Sequence, residues 1–214
     1  EIAQCLVGSE MCIRDRHMSE MVKVVVDAMG GDNAPEEPVK AAVEAVKEKE
    51  NIQVILTGVQ DVIEAELRKY PDYPKDRIRV VHASQVIETA EPPVMAIQKK
   101  KDSSIVVGLN LVKKQEADAF VSSGSTGAVL VGGQVIVGRI QGIRRPPLAP
   151  LIPTAKGVSL LIDCGANVDA RPDHLVQFAQ MGSIYMENVV GIKKPRVAIV
   201  NNGAEEEKGN ALVK

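Results

Sequence analysis

Four times in this chain an apolar run gives way to a short polar turn bearing glycine: at 27–33, 122–127, 163–167 and 201–203. The runs before them, 22–26, 117–121, 158–162 and 196–200, are short and built mainly from Val, Ile, Leu and Ala. Strands buried on both faces of a parallel sheet have that composition. Two more strands are expected at 52–56 and 78–81. Helical stripes lie between them. Val39, Ala42, Val43 and Val46 stand 3, 4 and 7 residues apart, and Leu175, Phe178, Ala179, Gly182, Tyr185 and Met186 mark a second stripe after Pro172. Further helices are expected over 62–69, 93–101 and 128–137, and from a Ser103 or Ser104 cap to about 114. Pro35 suits the first turn of a helix, with Asp32 or Asn33 as its cap. Strands alternating with helices predict an α/β fold whose mostly parallel sheet is covered on both faces. Ligands of such sheets bind beyond the carboxyl ends of the strands, where the polar turns lie.

Composition narrows the function. Aromatic residues make up 2% of the chain, Trp is absent and the formal net charge is −2. That offers neither stacking platforms nor an electrostatic footprint for nucleic acid. Two of the three cysteines, Cys5 and Cys12, lie in the first twenty residues, so the body has Cys164 alone. An internal disulfide framework is thereby excluded from the body, and a reducing cytoplasm is expected. No apolar run has membrane-spanning length. Residues 1–20 lack the apolar stretch of a signal peptide and read as a non-native or disordered leader, with one domain expected over 21–214. The last residues, from Gly209, read as the start of a helix cut short.

Residues 121–128, Val-Ser-Ser-Gly-Ser-Thr-Gly-Ala, carry the chemistry most directly. A strand that stops in such a turn and restarts as a helix presents unpartnered N–H groups and the positive end of the helix dipole. Gly124 and Gly127 would let the backbone approach a ligand, and Ser123, Ser125 and Thr126 add hydroxyl donors. The matching ligand carries phosphate or carboxylate. Turn-making alone explains the same composition equally well. Asn167 and Asn202 are neutral donors after strands, or simply turn residues. Asp27, Asp32 and Asp163 would repel an anion, so orienting a donor or capping a helix suits them better, and capping is the role expected of Asp32. Cys164 has no His in its own motif, which speaks against an acyl-enzyme. His82 and His174 are expected to be structural. No His/Cys/acid group has metal-ligand spacing, and neither a metal nor an organic cofactor is expected.

Several motifs occur together in order: Asp-Ala-Met-Gly-Gly-Asp at 27–32, Ser-Thr-Gly-Ala at 125–128, Val-Gly-Arg-Ile at 137–140, Arg145-Pro146, Asp-Cys-Gly-Ala-Asn-Val-Asp at 163–169 and Glu-Lys-Gly-Asn at 207–210. In this set, from Met21 to Lys214, the chain resembles the bacterial phosphate acyltransferase family, PlsX. The resemblance implies a three-layer α/β/α sandwich of the isopropylmalate-dehydrogenase and phosphate-acetyltransferase type. It implies transfer of an acyl group from acyl-[acyl-carrier-protein] to inorganic phosphate, giving acyl phosphate for phosphatidic acid synthesis. It also implies a homodimer, peripheral association with the inner face of the membrane, and a glycerol-3-phosphate acyltransferase downstream. Lys208, by itself a solvated lysine after an acidic run, becomes with Asn202 the catalytic candidate. Gly30, Gly31, Ser123, Gly124, Ser125, Thr126, Gly127, Asp163, Gly165 and Asn167 become candidates for phosphate or substrate binding. Arg139, Arg144 and Arg145 could dock an acidic carrier protein, whereas Lys99, Lys100 and Lys101 read as an ordinary solvated face. Asn201-Asn202-Gly203-Ala204 departs from the more apolar Asn-Ile-Gly-Thr type of the family, and relative to it a C-terminal portion is missing. Rival readings are a dehydrogenase, which lacks a G-x-G-x-x-G fingerprint here, a non-catalytic scaffold that binds carrier protein or metabolite, and an inactive fragment of the enzyme.

Overall fold

The computed structural model describes residues 21–203, 205, 208–210 and 212. The chain divides into two compact units, with the boundary between Ile140 and Gln141.

The first unit is built on a four-stranded parallel sheet. Strands β1 (Val22–Asp27), β2 (Ile52–Gly58), β3 (Ile78–His82) and β4 (Ala119–Val121) lie in the order β3-β2-β1-β4. Register is set by pairs such as Val26 with Leu56, Val26 with Val121, and Leu56 with Val80. All four strands therefore end on one rim. Side chains alternate across the sheet. Val54 and Leu56 face Val39, Val43 and Val46 of α1 (Glu36–Glu48) and Ile63 of α2 (Gln60–Leu67). Val25 and Ile55 face the opposite way, toward Leu111 of α4 (Ser104–Lys113). Helices thus cover both faces, as expected of an α/β fold. Gly108 lets α4 lie close to the sheet: a Cβ there would come within 2.5 Å of the Phe120 ring and 3.0 Å of Val25. Beyond the sheet, α3 (Pro93–Lys99), α4 and α5 (Thr126–Gly132) share an apolar cluster of Ile97, Ile105, Leu109 and Ala128. Helix α5 runs on as a π-helical turn, Gly133–Val137, and the chain leaves it at Gly138 with φ 103°.

The caps are partly as expected. Ser103 caps α4, its hydroxyl accepting from Val106 N. Asp32 and Asn33 do not cap α1 through their side chains. That helix opens at Glu36, after Pro35, with no side-chain cap bond. Its first turn instead carries Glu36 and Glu37, whose charge suits the positive helix end.

The segment between β3 and α4 is fastened by polar pairs. Asp102 accepts from both the hydroxyl and the N–H of Ser84, and these two bonds hold its carboxyl below the ordinary value of 3.8. The Lys100 ammonium, followed by the Glu88 N–H, does the same for Glu91, ordinarily near 4.5. Carboxyls lowered in the fold stabilise it above their unfolded values, and that contribution disappears as pH falls below them. Asp102→Asn is therefore expected to flatten the loss of stability below about pH 4. Urea midpoints from pH 6 to pH 3 check this; curves parallel to wild type would contradict it.

In the second unit, β5 (Leu151–Thr154) and β6 (Gly157–Leu160) form an antiparallel hairpin in which Thr154 pairs with Gly157. The run at 158–162, expected as a parallel strand, is thus half of a hairpin. The turn residue Gly157 sits at φ 137°, which favours glycine. The passage before it, Pro-rich from Arg145 to Pro153, runs into the partner strand. Helix α6 (Pro172–Tyr185) carries buried Phe178 and Gly182. Gly182 lies near Leu160 and Ile162, which places this face of the helix against β6 and the residues just after it. A π-helical turn, Met186–Val190, extends it to Gly191 at φ 84°. The run at 196–200 forms no strand, having no ladder partner among the described residues.

Candidate functional site

In the first unit the site is a crossing of two turns at the carboxyl rim of the sheet. Val26 and Val121 are paired, so the residues that follow, Asp27 and Ser122, leave the sheet side by side. Asp27 is 1% exposed, and both carboxylate oxygens are used. One accepts from Met29 N at 3.1 Å and the other from the Ser122 hydroxyl at 2.7 Å. Ser122 Oγ in turn accepts from Gly124 N at 3.0 Å. Gly30 lies against this knot. A Cβ on it would stand 2.4 Å from Asp27 Oδ2, and 2.9 Å from both Gly124 N and Ser122 Oγ. Gly31, at φ 101°, packs against Ser123. Thus Gly30, Gly31, Ser123 and Gly124, far apart in sequence, come together.

The glycines of the 122–127 turn are explained differently from the sequence expectation. The space beside Gly124 is filled by Gly30 backbone at 3.2 Å, and that beside Gly127 by the Pro93 ring at 2.6 Å. They admit the protein's own chain. Ser125 caps α5 by accepting from Ala128 N and is 3% exposed. Ser123 and Thr126 are exposed, so their hydroxyls can meet a ligand. A groove of about 660 Å³ runs from Gly30, Asp32 and Ser123 along an apolar wall that includes Val24, Val26 and Ala41.

In the second unit, Asp163 and Asn167 tie their turn to the passage at 146–148. Asp163 accepts from Leu148 N at 2.6 Å and from Asn167 N at 2.7 Å, while the Asn167 amide donates to Pro146 O at 3.1 Å. Gly165, at φ 91°, has open space where a Cβ would point. Cys164 is a free thiol of intermediate exposure. Farther on, Asn202 Oδ1 accepts from Gly209 N at 3.1 Å, and the Lys208 stem lies over Gly203, 2.6 Å from where a Cβ would be. Asn202 and Lys208 are both exposed. Arg144 pairs with Asp173, and its N–H donates to the Gln177 side chain, which also reaches Gly142 O. Arg139 and Arg145 are exposed. Each histidine of the body accepts a backbone N–H through Nδ1: His82 from Gln60, His174 from Arg171. Among the described residues no group of three or more His, Cys, Asp or Glu could hold a metal ion.

Residues 22–214 match the family described as fatty acid synthesis protein. The chain belongs to this family. Curated relatives in it are named phosphate acyltransferase. The one from Alkaliphilus oremlandii is 57% identical over 193 residues, covering 90% of this chain and 57% of its own length. That from Clostridium novyi is 52% identical over 193 residues, covering 90% and 58%. The chain thus spans less than two thirds of the length of these relatives. Among solved structures it resembles a phosphotransacetylase from Streptococcus pyogenes, with a TM-score of 0.61 at 19% identity, covering 90% of this chain and 60% of that one. It resembles the EutD phosphotransacetylase from Staphylococcus aureus equally, at 0.61 and 18%, covering 96% and 64%. At such identities the likeness establishes the α/β fold.

Within the fatty acid synthesis protein family, sequence reasoning about this member passed over the residues that join the turns. Ser122 has no role in the sequence reading, and Asp27 is expected there to orient a donor or cap a helix, with no partner named. The available signal was positional: each follows directly on a predicted parallel strand, and neighbouring strands of one sheet deliver such residues to the same place.

Proposed function

We propose that the full-length protein transfers an acyl group from acyl-[acyl-carrier-protein] to inorganic phosphate. The observation that carries this reading is the crossing at the strand rim, which leaves the Ser123 and Thr126 hydroxyls exposed beside the start of α5. Membership of a family whose curated relatives are named phosphate acyltransferase supports it. A phosphate oxygen attacks the thioester carbonyl, the C–S bond breaks, and the phosphate proton leaves with the thiolate as carrier-protein thiol. Phosphate is already anionic at neutral pH, so the protein's task is positioning and stabilising the developing oxyanion. Gly30, Gly31 and the 123–127 turn hold phosphate in this scheme. Lys208 and Asn202 supply a cation and a neutral donor for the carbonyl oxygen. Asp163, Gly165 and Asn167 shape a second substrate turn.

Arg139, Arg144 and Arg145 are the residues proposed to meet the acidic carrier protein. The acyl phosphate serves phosphatidic acid synthesis by handing its acyl group to glycerol 3-phosphate through a downstream acyltransferase. The full-length enzyme works as a homodimer held peripherally at the inner face of the membrane. No helix among the described residues is long and apolar enough to cross a membrane. The direct test is to trap the product. With palmitoyl-carrier protein and phosphate, hydroxylamine should convert the acyl phosphate to palmitoyl hydroxamate in proportion to enzyme. Hydroxamate formed equally without phosphate would reject the reading.

A further inference from the structure

We propose that Asp27 is a positioning residue that acts through Ser122 to fix the phosphate-binding turn. The inference rests on the phosphate-binding reading above. Asp27 and Ser122 lie 95 residues apart in sequence, yet β1 and β4 deliver them together. The Ser122 hydroxyl has a single proton, and it donates that proton to Asp27 Oδ2. Its lone pairs are thereby turned to the Gly124 N–H. The chain of contacts has one direction, from Gly124 N–H to Ser122 Oγ and from Ser122 O–H to Asp27. A buried carboxyl beneath an anion-binding turn offers the ligand no donor of its own. Its contribution is geometric: it locks Gly124 against Gly30, and the other donors of the turn take their places relative to that lock.

Asparagine at 27 tests the polarity. If its oxygen keeps the Met29 N–H, its amide must donate to Ser122, whose proton is then turned away from this partner. Alanine at 122 removes the relay, and threonine restores the hydroxyl. In the protein extended to the length of its relatives, Ser122→Ala and Asp27→Asn are expected to raise the phosphate KM at least about tenfold, roughly 1.4 kcal/mol. The KM for palmitoyl-carrier protein should move less than about threefold, and Ser122→Thr should stay within about threefold of wild type on both. An unchanged phosphate KM in the folded Ala or Asn variant would overturn the proposal. So would a Thr variant as impaired as the Ala variant.

Amide hydrogen exchange at Gly124 supplies a readout that needs no turnover. It should quicken in the Ala and Asn variants and return to the wild-type rate with Thr, at unchanged melting temperature. If the wild type makes no acyl phosphate, the proposed activity fails and this measurement alone decides: faster exchange supports the relay, unchanged exchange overturns it. Should Ser122→Ala not fold, Asp27→Asn against Ser122→Thr makes the same comparison.

Discussion

Gly30→Ala is expected to lower the unfolding free energy by about 3 kcal/mol, the upper end of the usual overpacking range. The added methyl has no flexible neighbour to displace. It would meet the buried Asp27 carboxylate at 2.4 Å, the Gly124 backbone nitrogen at 2.9 Å and Ser122 Oγ at 2.9 Å. Relief requires the 27–31 and 122–124 turns to separate, which breaks the Ser122 bond to Asp27 and uncovers a buried carboxylate. Urea unfolding measures the effect as a fall in midpoint at constant slope. Gly133→Ala is the control, because Gly133 is helical and a Cβ there meets nothing within 4 Å. It should be neutral or stabilise by up to about 1 kcal/mol. Equal destabilisation by the two variants would show that the crossing contributes nothing particular.

Lys208→Ala is expected to reduce kcat for acyl phosphate formation by about 100-fold or more in the full-length protein. The scheme assigns Lys208 to the charge that appears on the carbonyl oxygen, and loss of one such donor costs on that scale. Lys208 is exposed, and its backbone N–H donates to Glu205 O whatever its side chain. The melting temperature should therefore hold while activity falls. Lys208→Arg keeps the charge and should recover part of the rate. A full rate in the alanine variant, read from initial velocities at saturating phosphate, would remove Lys208 from the mechanism.

The first unit was largely legible because its signals were local and mutually consistent. Val39, Ala42, Val43 and Val46 marked the buried face of α1, and all four are buried. The Ser103 cap and the β4–turn–α5 passage followed from composition and order alone. The cap on α1 misled because Asp32 and Pro35 satisfy the pattern of a helix start, while the chain first turns through 32–35 and begins its helix later. In the second unit an apolar run was a poor guide. Residues 158–162 and 196–200 have the composition of buried strands, but a strand is defined by its ladder partner. The first pairs with 151–154 in a hairpin, and the second has no partner among the described residues.

The candidate site was legible as a set of turns and opaque in its wiring. Ser-Gly composition pointed to 122–127, yet the reason for Gly124 and Gly127 is contact with Gly30 and Pro93, which no local pattern encodes. The Asp27–Ser122 bond depends on two parallel strands reaching the same level, a long-range property of the sheet. Asn202 and Lys208 are catalytic candidates by resemblance, and the Asn202–Gly209 bond and the Lys208 stem over Gly203 are arrangements that spacing alone did not reveal.

The most direct test of the central claim is thiol release from palmitoyl-carrier protein by the full-length protein, with inorganic phosphate as the varied component. The account predicts that thiol appears only with phosphate, saturates as phosphate rises, and matches acyl phosphate one for one. Thiol release that is independent of phosphate would contradict it, as would binding of the carrier protein by the folded enzyme without any turnover.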